Sequence, residues 1–451
     1  MGYEVNPKPF SIISECDDWY ANRITDFHKR KTVQGVNYEL NRMNLAKRCC
    51  SDDANLCEII SVAPKEKSDS KSFIAELLEK NQFDTKYREQ LEKTSAMGTT
   101  GAYIYLKNAQ YLSNGHVQGG EIKINYVDAD CCIPLTVENG QIIEAAFSAS
   151  NKVKGKKRTT LVIFTLSEYG RYCAETVNFD GKGAIIGFGS SIQLGEVKPF
   201  SIMMNAEVNN IDDMEGYGLP KLYYSIPVFK AADLCYNVLY SDLDKAEKLI
   251  LINELLCTFD QKTGKPVLTP EQKKVFLFLG PKIPDQKTVY QEYNPEIRID
   301  QITKCFELVL SLISMSFGYG TKKYTFENGQ IKTATEYIGE RQDAMQELNK
   351  QRKQATQYIN GIIQAAMWFS NTFKGTSFNL NEELVIQFDD SYVEDRTSRL
   401  ETMRADALSF PEIPILKKWY IMEKYNISEQ DAVKFIEEGI YTEGSETEPE
   451  D

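Results

Sequence analysis

The side chains that most often carry chemistry are few and scattered in this sequence. It has only two histidines, His28 and His116, in different segments. That argues against a histidine-based metal site and against most nucleophile–base triads, which need an imidazole beside the nucleophile or several at fixed spacing. Ten cysteines include the adjacent pairs Cys49-Cys50 and Cys131-Cys132 but no Cys-x-x-Cys. They read as reduced thiols of a cytosolic product rather than a disulfide framework. Asp128 and Asp130 could pair on a cation, but carboxylates at a strand end more often accept turn amides. Asp212-Asp213 and Asp389-Asp390 read as loop carboxylates. Gly181-Lys182-Gly183 and Gly187-Phe188-Gly189-Ser190 lack the frame of a phosphate loop or a nucleophile elbow, and read as hairpin turns. The basic run 152–158 reads as a solvated hairpin tip, with contact to an acidic partner or to DNA as the sharper alternative. Two polar clusters remain: Lys322, Lys323, Tyr324, Asn328, Gln330 and Lys332 in one loop, and Lys262, Thr263, Gly264 and Lys265 in one turn. No catalytic residue, metal or cofactor is expected from these patterns, and the chain is not expected to be an enzyme.

The whole chain supports that reading. Its 451 residues suffice for two or three domain-sized units, with 42% hydrophobic and 26% charged residues. The net charge of −13 excludes a general duplex-DNA clamp, whose affinity comes from Lys and Arg neutralising phosphates. The N-terminus has no apolar core, so no signal peptide is expected. The longest greasy run, 308–317, contains three serines and is too short to span a bilayer, so the chain reads as soluble, without a membrane partner.

The elements that must position these residues follow from periodicity. Residues 14–81 read as mostly helical, 73–82 as a short amphipathic helix and 87–97 as a helix closed by Gly98. From Gly101 the period shifts to two. Strands are expected at 102–106, 122–127, 142–147 and 160–165, with further hairpin material at 172–193. A helix is expected over 227–248, with Pro227 in its first turn. Short strands follow at 249–256, 275–279 and 289–293, then a helix at 299–317 broken by Gly318-Tyr319-Gly320. The longest helical signal runs 333–369, roughly 55 Å at ~1.5 Å per residue. Its apolar stripe passes through Met345, Leu348, Ala355, Ile359, Ile362 and Ala366, and Gly339 and Gly361 mark places where it can kink. A strand at 384–388 and helices at 394–407, 413–425 and 429–438 close the chain, before an acidic tail read as disordered.

The order of these parts resembles the portal proteins of long-tailed double-stranded DNA bacteriophages. The resemblance rests on Tyr38 to Lys47, Ala54-Asn55-Leu56-Cys57-Glu58, residues 73–83, Ala96-Met97-Gly98-Thr99-Thr100-Gly101-Ala102, residues 124–134 and Glu138-Asn139-Gly140-Gln141-Ile142-Ile143-Glu144. Its sharpest piece is Lys332-Thr333-Ala334-Thr335-Glu336, which looks like the family's Lys-Thr-Ala-Thr-Glu signature and opens the long helix. It covers nearly the whole chain, while the clip and crown match only by position and character.

The resemblance implies an α+β portal fold. Residues 1–226 would be the wing, 227–248 and 299–317 the stem helices, 249–298 the clip, 318–332 the tunnel loop, 333–393 the long wing helix and strand, 394–440 the crown and 441–451 the tail. It implies a homo-dodecamer around an axial channel at one capsid vertex of the virion, assembled in the host cytoplasm. Its partners would be the terminase large subunit, the major capsid and scaffolding proteins, a head–tail connector protein, and double-stranded DNA passing non-specifically during packaging and ejection. Lys322, Lys323, Tyr324, Asn328, Gln330 and Lys332 would then face the channel, and the turn at Lys262 to Lys265 would dock terminase and connector. The acidic charge suits a conduit that must release every contact as DNA advances. The alternatives are another oligomeric phage structural protein or a head-maturation enzyme. A nuclease needs clustered carboxylates and a protease a nucleophile beside a base, and neither stands out.

Overall fold

Alternation of period along the chain sets the order of its elements. The computed structural model describes residues 3–111, 117–118, 120–153, 155–189, 191–246, 249–253, 262, 276–279, 290–293, 296–321, 323–326, 334–389, 396–425, 427 and 429–437. The N-terminal part holds α1 (Lys8–Tyr20), the hairpin of β1 (Lys29–Lys31) and β2 (Asn37–Glu39), α2 (Leu45–Asn55), β3 (Ile59–Pro64), α3 (Ser70–Lys80) and α4 (Phe83–Met97). It is therefore less helical than periodicity suggests. Every residue of β1 and β2 is exposed, so that hairpin carries no alternation for a sequence to show.

A β-rich block follows: β4 (Thr99–Lys107), β5 (Gln110–Tyr111), β6 (Val117–Gln118), β7 (Glu121–Val127), β8 (Cys132–Glu138), β9 (Gln141–Val153), β10 (Lys156–Leu166), β11 (Tyr172–Asp180), β12 (Ile185–Phe188), β13 (Ile192–Gln193) and β14 (Phe200–Met204). Strands β8 to β12 form an antiparallel meander, with β13 also on β11, and β4 lies between β14 and β7. Aromatic rings join the two sheets: Tyr103 on β4 and Phe200 on β14 lie 5.2 and 5.5 Å from Phe147 on β9, centre to centre. Such large rings supply most of the buried apolar area of a core this size.

Then come α5 (Lys221–Asp244), β15 (Leu249–Asn253), β16 (Phe276–Leu279), β17 (Tyr290–Tyr293), α6 (Ile299–Ser316), α7 (Ala334–Lys374), β18 (Leu384–Phe388), α8 (Arg396–Ser409), α9 (Pro414–Tyr425) and α10 (Glu429–Glu437). The fold is a mixture of helix and sheet, α+β in class, as the sequence leads one to expect. Helix α7 packs on β14 and β4. Its Leu348, Ala355, Tyr358, Ile359, Ile362 and Ala366 are almost wholly buried.

Two expectations need correction. Helix α5 begins at Lys221, six residues before Pro227, so the proline sits inside the helix rather than in its first turn. Proline there removes one ladder bond. Burial of Leu222 and Ile226 and ion pairing of Lys221 hold the extra turns regardless. Helix α7 runs unbroken through Gly339 and Gly361 to Lys374. A Cβ at Gly361 would lie 2.7 Å from Ser201 Oγ on β14, so this glycine permits close helix–strand approach and marks no break.

The chain divides into two compact units, one of residues 1–57 and 62–386, the other of 58–61 with the described residues from 387 on. In the second, α8, α9 and α10 pack in succession around Ile421 and Ala432, and Lys418 pairs with Glu429 at 2.6 Å. The expected acidic tail lies outside the described residues.

Candidate functional site

The most distinctive arrangement is the helix pair α5–α6. Three side-chain contacts step along it: Ser225 Oγ donates to Ser316 Oγ at 3.1 Å, Cys235 and Cys305 bring their sulfurs to 3.3 Å, and Arg298 makes a two-pronged bond to Asp242 at 2.7 and 2.9 Å. Residue numbers rise on α5 as they fall on α6, so the helices run antiparallel in one register. The guanidinium of Arg298 holds the Asp242 carboxyl below its usual range. Toward the molecule α5 buries Leu222, Ile226, Phe229 and Ala232, and α6 buries Ile302, Phe306, Val309, Leu310 and Ile313.

Helix α6 also carries a second apolar face, and α5 exposes apolar residues along its second half. Leu308, Leu312 and Met315 step by four and three along α6 and are exposed, Leu308 at 62%. On α5 no residue after Asp233 is buried, yet that half carries Leu234, Val238, Tyr240 and Leu243. An apolar stripe such as that on α6, exposed among the described residues, is the kind of surface an association interface uses.

The segment between the two helices forms a small sheet with β15 in its centre. Strand β16 pairs parallel with β15, Ile250 opposite Phe276, and β17 pairs antiparallel, Leu249 opposite Tyr293. The outer edges of β16 and β17 carry no further strand among the described residues. Of the docking turn expected from sequence, Lys262 is described and exposed, while Thr263, Gly264 and Lys265 lie outside the described residues.

Where α5 and α7 meet α2, a buried ion cluster locks them. Lys221 Nζ lies 2.9 Å from Asp53 Oδ1 on α2 and 2.9 Å from Glu347 Oε1 on α7. Burial alone would pull the Lys221 ammonium down, but the two carboxylates outweigh it and hold it above its usual value. Just after α6, the Tyr319 hydroxyl donates to Asp53 Oδ1 at 2.9 Å. The Tyr324 hydroxyl donates to Asp52 Oδ2 at 3.1 Å, and its backbone N–H donates to Ser314 Oγ at 3.0 Å. Two adjacent acids on α2 thus clamp the beginning of the loop in which the sequence placed its polar cluster. Lys221 is 4% exposed, which suits a structural joint and leaves no room for a substrate.

Of that polar cluster, Tyr324 is therefore half-buried and tied to α2, and Lys323 holds its ammonium 5.5 Å above the Tyr319 ring. Lys322, Asn328, Gln330 and Lys332 lie outside the described residues. Sequence reading missed Asp52, Asp53, Lys221 and Glu347. The signal was there in part: Cys49, Cys50, Asp53 and Ala54 share a buried face of α2 that is otherwise apolar.

The other chemistry candidates resolve into structure. Asp128 pairs with Lys93 at 2.7 Å and its carbonyl accepts the Cys131 amide. Asp180 Oδ1 accepts the amides of Lys182 and Ala184, which makes Gly181-Lys182-Gly183 a hairpin turn. Gly187 and Phe188 lie in β12. His28 is buried between Asp233 at 3.1 Å and Thr25 at 2.9 Å, against Trp19 and Phe27; His116 lies outside the described residues. Among the described residues no cluster of His, Cys, Asp and Glu is set to hold a metal ion, and no helix is long and apolar enough to cross a membrane.

A likeness to one solved structure can be set beside this geometry. It is described as the neck of a native GTA particle computed with C12 symmetry; a chain of it superposes with a TM-score of 0.38 at 9% identity, over 80% of this chain and 84% of that one. No family model matches the sequence, and no curated protein matches it.

Proposed function

We propose that the chain is a portal-type subunit of a tailed double-stranded DNA bacteriophage, a non-enzymatic structural protein that forms a homo-dodecameric ring. On this reading, α5 and α6 are the stem, β15–β17 belong to the clip, the loop after α6 is the tunnel loop, α7 is the long wing helix and α8–α10 form the crown. The ring would pass DNA during packaging and ejection, and would meet terminase, the capsid and scaffolding proteins and a head–tail connector.

One observation supports this reading most. The antiparallel pair α5–α6 is joined through a segment that carries a small sheet, and it presents exposed apolar residues that no described residue covers. Ring subunits meet heterologously, each burying two different flanks against two neighbours, and the buried centre of such flanks is enriched in apolar residues. The sequence resemblance, densest at Lys332-Thr333-Ala334-Thr335-Glu336, names the kind of ring.

Electron micrographs and native mass spectrometry of the purified chain test it. A ring with a central hole and a mass near twelve subunits is expected. A monomer with metal-dependent DNA cleavage would sink the proposal in favour of an enzyme. A closed ring that neither stimulates terminase nor enters proheads would favour another oligomeric phage structural protein.

A further inference from the structure

The middle contact of the α5–α6 pair is a pair of thiols. Cys235 on α5 is half-buried, Cys305 on α6 is exposed, and their sulfurs lie 3.3 Å apart. The contacts on either side, Ser225 with Ser316 and Asp242 with Arg298, fix the register, so the helices do not slide the sulfurs apart. A disulfide bond is about 2.05 Å long, so closure needs the sulfurs to approach by roughly 1.2 Å, within reach of side-chain rotation. The core thiols are placed differently: Cys16, Cys49, Cys50, Cys57 and Cys132 are buried, and burial pushes those of Cys49 and Cys57 up to about 12, where little thiolate exists.

We propose that Cys235 and Cys305 form a redox-sensitive clip: open dithiol in a reducing cytosol, intramolecular disulfide when the protein meets a small oxidised disulfide such as glutathione disulfide. The exposed Cys305 thiolate attacks one sulfur of the oxidant, forming a mixed disulfide and releasing one glutathione thiolate. Cys235 then loses its proton to solvent and attacks the Cys305 sulfur, and the second glutathione leaves as thiolate. Two protein thiols are oxidised, and one glutathione disulfide is reduced to two glutathiones.

The order of attack follows from the surroundings. Burial, together with the hydrogen bond to Cys305, pushes the Cys235 thiol up to about 11, which makes it the slower nucleophile. Attack on a sulfur already held beside it is intramolecular, and this offsets the low thiolate fraction. The bond would join residues 70 apart in sequence and tie the two ends of the segment carrying β15–β17. Disulfides persist only in oxidising surroundings, so the clip would be open during synthesis and closed outside the cell. It rests on the thiol geometry within one chain.

The test uses the full chain, reduced, freed of reductant and treated with glutathione disulfide, then alkylated and mapped by mass spectrometry without reduction. The expected product is a Cys235–Cys305 cross-linked peptide, a mass lower by about 2 Da and the loss of two alkylatable thiols, all reversed by dithiothreitol. Cys235→Ser should stop at a stable glutathione adduct on Cys305, and Cys305→Ser should leave Cys235 reduced. If the wild type itself stops at the Cys305 adduct, links Cys305 to a second copy, or keeps both thiols fully alkylatable, the clip does not exist.

Discussion

Lys221 shows how one residue can settle where three elements meet. Its ammonium sits 2.9 Å from carboxylates on α2 and α7 and is itself the first residue of α5. Removing one member of a buried ionic group leaves the others charged and dry, which costs about 3–5 kcal/mol. Lys221→Ala should therefore lower the denaturant midpoint severely or prevent folding. Tyr324→Phe, which removes one hydroxyl from Asp52, should cost only about 1 kcal/mol. Equal midpoints for the two variants would show that the cluster contributes little.

Glu92 makes a second residue-scale case. Burial would raise its carboxyl, but ion pairing with Lys47 and the Tyr20 hydroxyl outweigh that and hold it below its ordinary 4.5. A depressed carboxylate stabilises the fold above its unfolded value and loses that contribution as pH falls through the folded one. Thermal melts of the wild type should drop as pH falls below about 4.5, and Glu92→Gln should flatten that drop while lowering the plateau. An unchanged acid limb would show that other carboxylates dominate it.

At the scale of elements, α7 offers the sharpest contrast. Ile359 is wholly buried beside Tyr358 and Ile362, whereas Gln346 is exposed on the same helix. Ile359→Asp forces an unpaired carboxylate into the core, at roughly several kcal/mol, and should give insoluble protein. Gln346→Asp should express and melt like the wild type. Soluble, stable Ile359→Asp would show that the helix face is misplaced. The small sheet supports a different prediction. Strands β16 and β17 are its edges, and exposed edges invite addition of further strands. On the proposed reading, deleting residues 262–265 should leave rings intact but weaken terminase stimulation and connector attachment in pull-down assays. Unchanged binding of both would withdraw the docking role from that turn.

For the whole molecule, the decisive property is charge. On the proposed reading, a chain of net −13 repeated around a ring would repel DNA along most of its surface, leaving transient contact to local lysines. On the proposed reading, Lys322→Glu with Lys323→Glu should lower DNA packaging in an in vitro reaction while rings remain intact by electron microscopy. Normal packaging by such rings would remove these lysines from the channel.

What the sequence determined by itself was local. The change from helical to alternating period at Gly101, the glycine stop after α4, the strands β7 and β9 to β11 and the long apolar stripe of α7 depend on neighbours within a few residues, and pattern alone exposes them, whereas β8 was missed. Gly181-Lys182-Gly183 and the bend at Asp128 were legible as turns, whereas Gly187 and Phe188, read as a turn, lie in strand β12. Only the tertiary structure decided the rest. The start of α5 at Lys221 rests on carboxylates far away in sequence, Gly361 on the approach of Ser201, and the clamp on Tyr319 and Tyr324 on two adjacent aspartates of α2. Cys235 and Cys305 became neighbours only through the antiparallel register of two helices separated by a whole sheet. Long-range partners choose among the local states that a sequence allows, and no window along the chain contains both members of such a pair.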